Sequence, residues 1–190
     1  MMPSKRELKP SAVVYPTPVA LVTCVDEKGK PNIITLAAVG ILCGNPPQVG
    51  ISIRPSRYSN RLIRKSREFV VNLPTVAIVE ETDYCGVVSG RSKDKFAETK
   101  LTPIEAKKVR PPLIKQCPVN LECRVKDILS LGSHDLFIGE VVSMHADEEV
   151  LDASSNIDFK KLCAITWNPI SEEYYSLGES LGIEAFSKRQ

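Results

Sequence analysis

The chain is predicted to be mainly β, a closed or nearly closed antiparallel barrel carrying a few short helices. Three observations lead there: many short apolar runs with period-two alternation, turn residues between them, and no apolar-periodic segment long enough for an extended helix. With 190 residues, 43% hydrophobic and 25% charged, one domain spanning 1–190 can bury a sufficient core without staples.

The elements follow in order. Val19 to Val25 and Pro31 to Ala38 flank Asp26-Glu27-Lys28-Gly29-Lys30, an exposed turn between the strands of a hairpin. Gly44-Asn45-Pro46-Pro47 breaks the chain, and Gln48 to Arg54 then places Val49, Ile51 and Ile53 on one face of a half-buried strand. Ser59 is a candidate cap for a short helix that turns Leu62 and Ile63 inward and leaves Arg61, Arg64 and Lys65 in water. Glu68 to Asn72 reads as a strand, Thr75 as the cap of a helix through Glu81, and Ser92 as the cap of a shorter helix containing Lys95 and Phe96. Pro103 to Gln116, with Pro111-Pro112, is expected to run over the surface. Strands return at Val119 to Leu129, Leu136 to Met144 and Leu162 to Trp167.

Composition narrows the function classes. The 25 basic and 23 acidic residues are spread along the chain, giving a formal charge of +2 and no footprint for nucleic acid or a membrane surface. No apolar region follows the basic residues of Met1 to Pro10 as a secretory signal would require, and no run reaches the length of a membrane span, so a cytoplasmic location is expected. The six cysteines, at 24, 43, 85, 117, 123 and 163, form no C-x-x-C pair, and His134 and His145 lack zinc-finger spacing. No metal site is expected, and most of the cysteines read as small buried hydrophobes.

No P-loop, G-x-G-x-x-G or G-x-S-x-G is present, so a phosphate would need another device. Arg54-Pro55-Ser56-Arg57-Tyr58-Ser59 offers one: two guanidinium groups, hydroxyls and the free N–H groups of a helix start. Asp83 to Phe96, with two glycines, two serines and three cations, could meet an anion too. Read alone, the first is more often an Arg-containing turn with a Ser cap, and the second a solvated loop. His134, at the mouth of a strand, could donate to a ligand or change charge near neutral pH, although a single His there is more often structural.

Taken together, these segments resemble the flavin reductase-like proteins with an FMN-binding split barrel, which include flavoredoxins and related ferric reductases. The resemblance runs from about Pro16 to Phe186. It rests on Asn32-Ile33-Ile34-Thr35, Cys43-Gly44-Asn45-Pro46-Pro47, Arg57-Tyr58-Ser59, Glu68-Phe69-Val70-Val71-Asn72, the Asp83 to Phe96 segment, Gly132 to Val141, and Tyr174-Tyr175-Ser176-Leu177-Gly178-Glu179.

The resemblance implies noncovalent FMN, with Asn32, Thr35, Leu36, Ala37 and Ala38 along the flavin. It implies ribityl and phosphate contacts from Ser52, Ile53, Arg54, Ser56, Arg57, Tyr58 and Ser59, helped by Ser89, Gly90 and Lys95, and it puts His134 and Trp167 near the ring. Several relatives carry Trp where this chain has Ala38, which leaves the stacking on one flavin face open. Lys95, or protonated His134, would favour the anionic reduced flavin, and His134 is the candidate catalytic residue. Cys85 beside the glycine-rich segment is either a redox-active thiol or, the simpler reading, a bystander. The implied activity is electron transfer from NAD(P)H or a carrier protein through FMN to a flavin, a ferric complex or a protein, in a homodimer. A noncatalytic carrier of the flavoredoxin kind is the alternative, and a flavin-free binding module a third.

Overall fold

The turn at Asp26 shows how local chemistry sets the barrel. Its carboxylate accepts from the N–H groups of Lys28 and Lys30 at 2.9 and 2.8 Å, and Gly29 takes φ +83, the left-handed conformation that suits glycine. This computed structural model describes residues 4–182, 184 and 187; the start of the basic N-terminal stretch and Phe186, where the resemblance ends, lie outside the described residues. In chain order the elements are β1 (Thr17–Pro18), β2 (Ala20–Val25), β3 (Pro31–Leu36), β4 (Val39–Gly44), β5 (Pro47–Ile53), α1 (Tyr58–Ser66), β6 (Glu68–Leu73), α2 (Val79–Val87) and α3 (Lys95–Thr99). Then come β7 (Pro103–Ile104), β8 (Leu113–Ile114), β9 (Val119–Ser130), β10 (Asp135–Ala146), α4 (Phe159–Leu162), β11 (Ile165–Asn168) and β12 (Glu173–Ser176).

Seven strands form one antiparallel sheet in the order β3-β2-β6-β9-β10-β5-β4, while β1-β11-β12 and β7-β8 form two small ones. The large sheet curls until its ends share a core: Ile34 and Leu36 of β3 pack in the same apolar cluster as Val49, Ile51 and Ile53 of β5. The rims β3 and β4 are not hydrogen-bonded to each other, so the barrel is split there, and α1 plugs the interior with Leu62 and Ile63. Gly139 leaves space for the Phe69 ring, since a Cβ there would lie 2.4 Å from Phe69 Cζ. Outside, α2, the turn before it and α3 cover Leu21 and Ile33 with Cys85, Ile78 and Phe96 respectively.

The hairpin, the barrel strands and the inward face of α1 stand as expected; several boundaries differ. Ser59 is not the cap of α1: Arg57 is, with extended backbone and no side-chain bond, because the Ser59 hydroxyl is engaged by Asn32 inside the first turn. Asp94, not Ser92, caps α3 by accepting from Ala97 N–H, while the Ser92 hydroxyl bonds to the Ser89 carbonyl. Thr75 caps only a 3-10 turn over Val76–Ile78. The helix continues beyond Glu81 to Val87, with Glu80 and Glu81 favouring its N-terminal turn, so the glycine-rich segment opens on a helix. Leu162 ends α4 and does not start β11.

The segment from Pro103 to Gln116 is not simply a surface connection. Val109 and Leu113 bury against Val70, because the Glu122 carboxylate on β9 accepts the N–H groups of Lys107, Lys108 and Val109 and pulls the segment onto the barrel. Among the described residues no helix is long and apolar enough to cross a membrane. Cys24, Cys85, Cys117 and Cys123 are buried, Cys43 is half-buried and Cys163 exposed, all as free thiols.

Candidate functional site

The site is built where β3, the β5–α1 connection and the α2–α3 connection meet. A cavity of about 250 Å³ there is lined by Asn32 and Ile34 from β3, Arg54, Ser56, Arg57, Tyr58 and Ser59 from the connection into α1, and Gly86 to Lys95 residues from the third segment. Register explains the meeting. Ala38 leaves β3 and its carbonyl accepts from Ser52 N–H at 2.9 Å, which holds the β5 end, and so Arg54, beside the rim of β3. Gly86 packs on the Thr35 side chain, whose hydroxyl donates to the Thr82 carbonyl, so α2 is fixed to the same rim.

Asn32 organises the floor. It is buried, and its amide donates to Ser59 Oγ at 2.8 Å. The backbone at Gly90 presses against it so closely that a Cβ would lie 1.8 Å from Asn32 Oδ1, so glycine is required at this approach.

Lys95 supplies buried charge. Its side chain is 5% exposed and its ammonium donates to the carbonyls of Ile33 at 2.8 Å and Cys85 at 2.7 Å. An ammonium carries three donors, so one is left for a ligand in the cavity it lines. Burial pulls the Lys95 pKa down to about 8. No carboxylate pairs with Lys95, Arg54, Arg57 or Arg91 among the described residues, whereas Arg64, Lys65 and Lys93 nearby are each paired with an acid. A recess with uncompensated cations and convergent hydroxyls and N–H groups suits a small dianion such as a phosphomonoester.

The other sequence-derived positions fall in three places. Thr35, Ala37 and Ala38 form a strip of chain leading from β3 to β4, with Ser52 bonded to Ala38; they are half-buried except for exposed Ala38, and none of the four lines the cavity. Leu36 and Ile53 turn their side chains into the barrel core, leaving only backbone toward the split. His134 and Trp167 do not line the cavity. His134 precedes Asp135, the register partner of Ile53, so it lies at the same barrel end as Arg54, with Nδ1 2.9 Å from Ser133 Oγ. Trp167 belongs to the small sheet and packs at a tilt of 57° against Tyr174, with ring centroids 4.6 Å apart. Burial pushes the Cys85 thiol up to about 11, and it is fully enclosed, which favours the bystander reading over a redox thiol.

Sequence reasoning missed Ile34, Gly86, Val88 and Arg91 among the lining residues. Ile34 and Val88 carried no chemical signal, and Arg91 was visible only as one of three cations in its segment.

The chain is similar to known proteins along most of its length. An uncharacterised protein from Archaeoglobus fulgidus is 37% identical over 131 residues, covering 69% of this chain and 74% of that one. The solved flavoredoxin of Desulfovibrio vulgaris (Miyazaki F) superposes with a TM-score of 0.92 at 33% identity, covering 98% of this chain and 100% of the other. The flavoredoxin from Methanosarcina acetivorans gives 0.91 at 30% identity, with 98% of each chain covered. The model of the flavin reductase like domain matches residues 12–166, and with that span on this split barrel the chain belongs to the flavin reductase-like family.

Proposed function

We propose that the chain binds FMN noncovalently, with the phosphate in the cavity around Lys95 and the flavin along the Thr35 to Ala38 strip, and that it transfers electrons from NAD(P)H or a carrier protein to an acceptor. One observation carries the reading: a buried ammonium with a spare donor, beside Ser59 and three arginines without a carboxylate partner among the described residues, in a cavity beside the barrel's split. Bound FMN supplies the redox chemistry. The chain's own residues do the rest. Lys95, Arg57 and Ser59 hold the phosphate, Asn32 aims the Ser59 hydroxyl, and the backbone of Ala37 to Ala38 and Ser52 to Arg54 offers polar groups along the split. His134, at the same barrel end as Arg54, would meet a second substrate there.

The protein works as a cytoplasmic homodimer in this reading. Strand β4 ends the large sheet, and its Ile41 is 85% exposed with Leu42 beside it, an apolar edge that a second copy would cover. A noncatalytic carrier is the second reading, favoured by the two relatives named flavoredoxin.

Anaerobic mixing of the purified FMN-loaded protein with NADH and with NADPH, followed by flavin absorbance, separates the two. Rapid bleaching is the expected result for the reductase. Its absence, with reduction by a carrier protein intact, assigns the carrier. A protein that takes up no FMN sinks both.

A further inference from the structure

Residues 4–16 form an arm that its own copy leaves bare. Every one of them is exposed, Leu8 at 77% and Val14 at 83%, with Val13 and Tyr15 also open to water. Residues 4–15 belong to no helix or strand, and Pro10 and Pro16 keep the stretch from coiling. Lys5, Arg6 and Lys9 outweigh Glu7, and none of the three cations has an acidic partner among the described residues. Apolar side chains on a cationic arm that packs against nothing call for a surface elsewhere.

The outer face of α2 matches that arm. A groove of about 490 Å³ runs between α2 and the β11–β12 turn. Glu80, Asp83 and Glu172 line it, are exposed, and pair with no cation among the described residues. The Tyr174 hydroxyl donates to Asp83 at 3.2 Å, which ties β12 to the helix and gives the groove a fixed wall. Val79 and Val87 add apolar surface, Val87 being exposed. Three unpaired acids beside two valines thus face the character of three unpaired cations around Leu8.

Topology brings the arm to the edge where copies would meet. Thr17 pairs with Trp167 and Trp167 with Tyr174, so the chain running back from β1 leaves the small sheet at the end that carries Glu172. β1 also packs beside β4, whose apolar edge is open. The arm passes its own groove at the root without an ion pair to it, and an extended chain from Pro16 to Lys5 reaches up to roughly 40 Å.

We propose that the two copies exchange arms: residues 5–16 of each lie in the groove between α2 and the β11–β12 turn of the other, with Lys5, Arg6 and Lys9 against Glu80, Asp83 and Glu172. The exchange rests on the homodimer reading. Around a two-fold axis at the β4 edge both arms engage at once, and the same helix, α2, carries Gly86, which lines the phosphate cavity.

The test is a charge swap in the full-length protein. One variant carries Lys5→Glu, Arg6→Glu and Lys9→Glu; the other carries Glu80→Lys, Asp83→Lys and Glu172→Lys. All six positions are exposed, and matching melting temperatures confirm that both variants fold. Sedimentation equilibrium should show each variant dimerising about tenfold or more weaker than the wild type, since every contact becomes a like-charge one. Mixed in equal amounts, the two should recover dimerisation to within about threefold of the wild type, because each arm then meets a groove of opposite sign. Raised salt should weaken the wild-type dimer and the mixed one alike. Weak association that mixing does not rescue would mean that the arm closes on its own copy, and it overturns the exchange. Variants that dimerise as the wild type does overturn it too and leave the homodimer standing. A wild type with the mass of one chain at every concentration sinks the homodimer and the exchange together.

Discussion

Asn32 and Ser59 sit 27 residues apart in sequence and are joined by a 2.8 Å hydrogen bond from the Asn32 amide to the Ser59 hydroxyl, in the cavity that both line. The amide donates, so the hydroxyl proton is free to point at an anion. A hydrogen bond to a charged group contributes about 1.5–3 kcal/mol, so Ser59→Ala should weaken FMN binding roughly ten- to a hundredfold. Riboflavin, without the phosphate, should bind far more weakly than FMN to the wild type and should be indifferent to the substitution. Equal losses for both ligands in a fluorescence-quenching titration would move Ser59 out of the phosphate site.

On the proposed reading, Lys95 should make FMN binding pH-dependent. Burial favours the neutral amine and lowers its pKa from 10.5 to about 8, so the ammonium that meets the phosphate is present below about pH 8 and lost above it. FMN affinity should therefore fall by about tenfold between roughly pH 8 and 9.5. Stability of the flavin-free protein should move the other way: keeping a buried charge opposes folding below about pH 8, and that cost fades as pH rises toward the ordinary lysine value. Lys95→Met should bind FMN weakly at every pH with a flat profile. A wild-type affinity constant across that range would contradict the assignment.

Glu122 clasps the Pro103 to Gln116 segment. It is fully buried and accepts from three backbone N–H groups and from His145 Nε2 at 2.6 Å. Burial acts to raise its pKa, but the Lys107 N–H, His145 and the Lys108 N–H outweigh it and hold the carboxyl below its usual range. Glu122→Gln should cost about 2–4 kcal/mol and lower Tm by roughly 5–15 °C, with FMN affinity per folded molecule unchanged. In the wild type this contribution is present above the ordinary glutamate pKa and fades as pH falls through the lowered one. A variant as stable as the wild type would show that the clasp carries little.

Much of this was legible because local chemistry and burial agreed. The Val19 to Ala38 hairpin, the β5 alternation and the inward Leu62 and Ile63 follow from period and turn residues, and the cation- and hydroxyl-rich segments did meet at one cavity. Strand β4 was missed because Val39-Gly40-Ile41-Leu42-Cys43-Gly44 has no alternation; it is a strand through pairing with β5, a tertiary cause. The α2 continuation was hidden by Gly86, which reads as a breaker but sits against Thr35, where a larger residue would crowd. The Glu122 clasp joins a carboxylate to backbone N–H groups, which leave no mark in sequence.

The exposed β4 edge predicts association. Ile41→Asp would put a charge at the centre of an apolar edge and should shift a dimer toward the 21.0 kDa monomer in sedimentation at micromolar concentration. A wild-type mass near that of one chain with FMN bound would count against the dimer.

His134 gives the sharpest division between roles. It ends the β9–β10 turn, half-buried, one residue before Asp135, whose carboxylate is anchored by Asn60, Arg64 and Ser130. The backbone beneath the imidazole is therefore held, and among the described residues the ring has only the neighbouring Ser133 hydroxyl as a hydrogen-bond partner. On the proposed reading, an imidazole held this way at the barrel end that carries Arg54 would orient an incoming donor. On that role His134→Ala keeps FMN affinity and thermal stability but slows flavin reduction by NAD(P)H, because orientation alone is lost. A ring-supporting role instead predicts loss of FMN. A purely structural role predicts a lower Tm with affinity and reduction rate per bound FMN intact. Stopped-flow reduction, flavin titration and thermal melting of this one variant distinguish the three, and the last outcome would remove His134 from the site.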